Sequence, residues 1–94
     1  MLLRKSRSWI RAMILHVVEA KHVKDHTVWL RFNDGVSGEV DLLDSLDGLI
    51  FEPLKNVDYF KLMTLDSELS TICWPNGADF APEYLENKIL IHVR

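Results

Sequence analysis

Apolar and polar positions alternate most cleanly over His26 to Phe32 and again over Val36 to Leu42. In the first run Val28, Leu30 and Phe32 share one face and Thr27, Trp29 and Arg31 the other; in the second, Val36, Val40 and Leu42 stand against Ser37, Glu39 and Asp41. A period of two marks a half-buried strand, and Asn33-Asp34-Gly35 between the runs supplies turn residues, so a hairpin is expected over 26–42. Its register follows from the pattern. A loop of Asp34-Gly35 alone sets Phe32 opposite Ser37 and Val28 opposite Asp41, whereas a loop of Asn33-Asp34-Gly35 sets Phe32 opposite Val36, Leu30 opposite Gly38 and Val28 opposite Val40. The second is expected, because a slip of one residue turns the whole apolar set outward. Gly35 then takes the left-handed position of the loop, and Gly38 leaves room for another element to press on the sheet. Trp29 remains on the polar face beside Arg31 and Glu39, which makes these three the first candidates for a contact surface.

Upstream, valine and isoleucine interleaved with charge predict a strand near 14–23, with neither face clearly apolar. Downstream, Asp44, Asp47, Gly48 and Pro53 restrict Leu42 to Lys55 to short helical turns, anchored by Leu46, Leu49, Phe51 and Leu54. Asn56 and Asp58 bracket a further turn through Tyr59 and Phe60. Strands follow near 61–65 and 69–74, with Asp66-Ser67-Glu68 as the reversal between them. Pro75 ends the last of these, Asn76-Gly77 tolerates positive φ, and Pro82 suits the first position of a helix near 82–88, with Asp79 and Glu83 at its positive end. Trp74, Phe80 and Leu85 are the apolar groups expected to pin this corner. Residues 89–93 fit a closing strand or an ordered tail equally well. The fold class is α+β: a small, mostly antiparallel sheet with short helices packed on one side.

Composition narrows this picture. With 94 residues, 48 % hydrophobic and 27 % charged, the chain suits one globular domain, assigned to 13–94. Residues 1–12 carry Arg4, Lys5, Arg7 and Arg11 and no acid, and are expected to be a basic leader outside the fold. From Met13 onward seven basic residues face fourteen acidic ones, a net charge of −7 that the leader's four basic residues bring to −3. Such a body repels phosphates, so nucleic acid is not the expected ligand of the folded part; a basic protein is. No apolar run is long enough to span a membrane, and the single Cys73 excludes an internal disulfide. A cytoplasmic location is expected, and a homo-oligomer stays open.

Chemistry is sparse. His16 and His22 share parity on the first strand but lie six residues apart, about 20 Å along a strand and too far for one ion. His22 and His26 flank a turn, but two ligands make a weak site, and His92 is remote in sequence. Cys73 on a strand reads as a small buried side chain. Asp79 and Glu83 could serve as an acid and base pair, yet the helix start accounts for both. The four glycines are scattered through turns rather than gathered into a phosphate cradle. No catalytic residue, metal or cofactor is expected.

Leu30-Arg31-Phe32-Asn33-Asp34-Gly35, Asp41-Leu42, Phe51-Glu52-Pro53-Leu54, Tyr59-Phe60 and above all Trp74-Pro75-Asn76-Gly77-Ala78-Asp79-Phe80-Ala81-Pro82-Glu83-Tyr84-Leu85 together resemble the bacterial domain of unknown function 2442 family, over roughly Ile14 to Asn87. The resemblance implies a small α+β fold similar to the N-terminal domain of a two-part protein whose second half is a helix-turn-helix. Arg94 follows too soon for such a half, so a stand-alone member is expected. Stand-alone members are often encoded beside a small toxin, which implies an antitoxin that masks a small basic partner; a small-ligand sensor domain is the alternative. The family brings no catalytic residues with it. The residues expected to meet a partner are Trp29, Arg31 and Glu39 on the sheet, and Trp74, Asn76, Asp79 and Glu83 at the corner.

Overall fold

The structure, a computed structural model, describes residues 14–93. The expected basic leader, 1–12, lies outside the described residues. Strands β1 (Val17–Lys24), β2 (Thr27–Phe32) and β3 (Ser37–Asp41) form an antiparallel sheet in that order, while β4 (Thr64–Asp66) and β5 (Thr71–Cys73) pair as a separate hairpin. Between the two lie 3-10 turns at Leu43–Ser45 and Leu49–Lys55 and one turn of helix, α1 (Val57–Phe60); helix α2 (Pro82–Val93) follows β5.

The hairpin takes the register derived from its pattern. Val28 pairs with Val40, Leu30 with Gly38, and Trp29 with Glu39. The Phe32 N–H donates to the Val36 carbonyl at 2.8 Å, and Gly35 at the end of the loop has φ +93°. Val28, Leu30, Phe32, Val40 and Leu42 are all buried. Gly38 makes the room foreseen for it: α2 crosses β3 there, and a Cβ on Gly38 would meet Ile89 Cγ2 at 3.0 Å.

The first strand begins at Val17, three residues later than expected, and the pairing shows why its inward face was ambiguous. The register slips between Val17 and Glu19 and again between His22 and Lys24, so Val18 and Val23 are extra residues, as in a bulge. Parity changes at each slip. Val17 opposes Phe32, yet Ala20 opposes Leu30 and His22 opposes Val28. No strict alternation survives such a strand.

Three further expectations are corrected. The strands foreseen near 61–65 and 69–74 shrink to Thr64–Asp66 and Thr71–Cys73 and form their own sheet, tied to β1 by a bond from the Val17 N–H to the Ser70 carbonyl, 3.0 Å. Helix α2 continues to Val93, so 89–93 is neither strand nor tail; Leu85 and Ile89, four apart, are both buried on its inner face. Leu49 anchors nothing. It is 90 % exposed, while Leu46 and Leu54 fill the core and Phe51 packs against it.

His26, at the turn before β2, is buried. Its Nε2 faces the carbonyl oxygens of Leu54 (3.1 Å) and Lys55 (2.9 Å), so that nitrogen carries the proton and donates to both. The ring also lies edge-on to Phe60 at 4.9 Å. The imidazole thereby ties the start of β2 to the end of the second 3-10 turn. Asn56 then starts α1, its side-chain oxygen accepting the Asp58 N–H at 2.8 Å.

Candidate functional site

The outer face of the three-stranded sheet is built from two cross-strand rows. Lys21, Trp29 and Glu39 lie side by side on β1, β2 and β3, and Glu19, Arg31 and Ser37 form the next row. Arg31 Nε donates to Glu19 Oε1 at 3.0 Å, and Lys21 Nζ lies 5.4 Å from the Trp29 ring centre. Trp29 is half-buried, with Lys21 of the adjoining strand lying over its ring. The expected trio Trp29, Arg31 and Glu39 is thus contiguous, and Glu19 and Lys21 complete it. Those two were missed because the bulge at Val18 hid which β1 residues share this face.

The corner residues divide. Trp74 is 3 % exposed, its indole N–H donating to the Phe60 carbonyl at 2.9 Å and its rings meeting Phe60 and Phe80. Its side chain is therefore taken up by the core and offers nothing outward. Asn76 is exposed but occupied: its side-chain oxygen accepts the Ala78 N–H at 3.1 Å and its nitrogen donates to the Ile50 carbonyl at 2.8 Å. Gly77 alone takes positive φ in this loop, +91°, and Asn76 does not. Asp79 forms a bridge with Cys73 rather than capping α2, whose first turn closes on the Ala81 carbonyl through the Tyr84 and Leu85 N–H groups. Glu83, exposed in that turn, borders an open cleft of about 560 Å³ together with His16, Glu68, Ser70 and Pro82.

The carboxyl groups that do meet are Asp34, in the hairpin loop, and Glu86, on α2. Their hydrogen bond is the main reason that the Glu86 pKa is pushed up to about 7, with burial and the charges of Asp34 and Glu83 adding to it. Asp34 is held below the ordinary carboxylate range by the same bond and by the Val36 N–H, 3.0 Å away. Residues 52 apart with nothing between them to set their approach leave no trace in sequence. A carboxyl raised in the folded state binds its proton more tightly there than in the unfolded chain. Its contribution to stability is therefore lost as pH rises from about 4.5 to about 7. Glu86→Gln keeps a hydrogen-bond partner for Asp34 and removes the titration. The variant is expected to gain more in melting temperature over the parent at pH 8 than at pH 5, and equal gains at both values would refute the pairing.

The histidines do not converge on an ion. His22 and His26 both approach Phe60, at 6.0 and 4.9 Å, but the Nε2 of each donates to backbone carbonyls. Among the described residues no three His, Cys, Asp or Glu side chains could hold a metal, and no helix is long and apolar enough to cross a membrane.

No curated protein and no solved structure matches the chain. A family model does, across residues 17–90, from the first residue of β1 to within three residues of the end of α2. The sheet, the corner and the helix just described are thus the body of one family's domain, and the chain belongs to the family described as "Protein of unknown function (DUF2442)".

Proposed function

We propose that this chain is a non-enzymatic interaction module that binds a small basic protein, acting as the antitoxin of a toxin–antitoxin pair. The observation that carries this reading is the outer sheet face. A half-buried tryptophan at the centre of an antiparallel sheet, bordered by Glu19, Lys21, Arg31 and Glu39, supplies an aromatic anchor within a polar rim. The acidic balance of the body favours a basic partner and speeds its approach. Co-expression with the product of the neighbouring reading frame tests it. Relief of toxicity and a stable complex are expected, with Trp29→Ser weakening both; no complex and no relief would remove the reading.

A second reading, a small-ligand sensor of the kind fused to helix-turn-helix domains, is favoured by the cleft beside Glu83. His16 Nδ1 is buried there without a hydrogen-bond partner among the described residues, and the cleft's size suits a small molecule. A thermal-shift screen of metabolites tests it, and indifference to all of them would set it aside.

A further inference from the structure

Three of the apolar side chains that the structure exposes share one support. Leu49 is 90 % and Ile50 48 % exposed at the head of the second 3-10 turn, and Tyr84 of α2 is also open. A lone exposed leucine carries no meaning. These three are held together by a rigid support. Phe51 stacks on Phe80 at 4.9 Å and Phe80 on Tyr84 at 5.7 Å, the Tyr84 hydroxyl meets Ser45 Oγ at 2.7 Å, and Asn76 grips the Ile50 carbonyl. Gly48, with φ +96° and open space where a Cβ would stand, turns the chain so that Leu49 points away from the core that receives Leu46 and Leu54. A knob on a fixed platform loses little conformational freedom on binding, which is the geometry of an interface anchor.

Charge decides what can cover it. Between Arg31 and Lys55 the chain carries six acidic residues and no basic one. Asp44 and Asp47, just before the knob, and Asp79, beside Phe80, are exposed, and no ion pair forms at any of them among the described residues. Lys88 Nζ, 5.8 Å from the Tyr84 ring centre, borders the patch, but a second copy set against the ridge at Leu49 and Ile50 would still bring acid to acid. We infer that the ridge at Leu49 and Ile50 is a docking surface for a protein segment that combines apolar side chains with lysine or arginine, the leucine knob entering an apolar cleft and the basic groups meeting Asp44, Asp47 and Asp79. The inference rests on the interaction-module reading for the existence of a partner, but it places the anchor away from Trp29. It also gives the corner a use: Asn76 and the Phe80 stack are the buttress of the ridge rather than its contact atoms.

The full chain, isotopically labelled, is titrated with an amphipathic peptide of leucine and lysine, and with its leucine and glutamate counterpart. Amide shifts are expected at residues 44–51, 76–79 and 84 with the first peptide only, and binding weakens as salt rises. Leu49→Ser, at a position too exposed to unfold the domain, weakens the Kd roughly tenfold or more, whereas Leu62→Ser, at another exposed leucine, leaves it unchanged. Shifts confined to another face, or an unaltered Kd for Leu49→Ser, would overturn the inference. So would a dimer in sedimentation that Leu49→Ser converts to monomer. The two readings fail separately. A co-expressed partner released by Trp29→Ser and retained by Leu49→Ser removes the ridge and keeps the module; peptide binding at the ridge with no complex from co-expression does the reverse.

Discussion

Trp74→Ala is expected to remove a large share of the domain's stability, about 3–5 kcal/mol of the roughly 5–15 kcal/mol that a whole domain has. Two losses combine at this position. The buried indole touches Phe60 at 5.3 Å and Phe80 at 5.9 Å between ring centres, so truncation opens a void between α1 and the corner that neither ring can fill alone. The Phe60 carbonyl also loses the indole N–H that satisfies it at 2.9 Å. A conservative variant separates the two. Trp74→Phe keeps most of the apolar volume and gives up the hydrogen bond, which costs about 1–3 kcal/mol when the abandoned partner is buried. Urea denaturation should therefore order the midpoints of the three proteins parent, Phe, Ala, from highest to lowest. A Trp74→Ala protein that melts within a few degrees of the parent would mean that the corner does not depend on this ring.

The same residue shows what could be read from the sequence and what could not. Trp74 stands out as the last apolar group before Pro75, and its role in pinning the corner with Phe80 and Leu85 is local enough to follow from the order of the residues. The hairpin register was legible for a similar reason: strict alternation and a short loop leave only two registers, and one of them buries Asp41 against Val28. Where the outcome depends on distant contacts, pattern fails. Val18 and Val23 look like strand residues and are, but the bulges they create can be placed only against β2. His26 resembles any polar residue at a turn until the carbonyls of Leu54 and Lys55 arrive from 28 and 29 residues away. Leu49 shows the opposite case: hydrophobicity does not mean burial in a segment too short and broken for a period to show which way each side chain faces. The candidate sites divide along the same line. Trp29, Arg31 and Glu39 share a face because they alternate, while the Asp34–Glu86 pair and the ridge at Leu49 are products of packing.

Gly38→Leu is also expected to destabilise the domain, and through a different cause: excess volume rather than a void. Helix α2 crosses β3 at this residue, with Ile89 Cγ2 only 3.0 Å from the point a Cβ would occupy. Alanine there asks the Ile89 methyl to give way by a few tenths of an ångström. Against that strain stands the entropy removed from the unfolded chain, about 0.4–1 kcal/mol where the native conformation suits alanine, so Gly38→Ala should fall close to the parent. Leucine adds three more carbons to a space already taken by a buried isoleucine. The helix must lift from the sheet or Ile89 must leave its rotamer, at about 1–3 kcal/mol or more. Because the conflict lies between two side chains, it can be measured as a coupling. Ile89→Ala alone opens a cavity and destabilises by about 2–5 kcal/mol. In the Gly38→Leu, Ile89→Ala double variant, however, the leucine occupies the vacated space, and the double loss should be smaller than the sum of the single ones by about 1 kcal/mol or more. Strict additivity in urea denaturation would show that α2 does not rest on Gly38, and the placement of the helix over β3 would have to be abandoned.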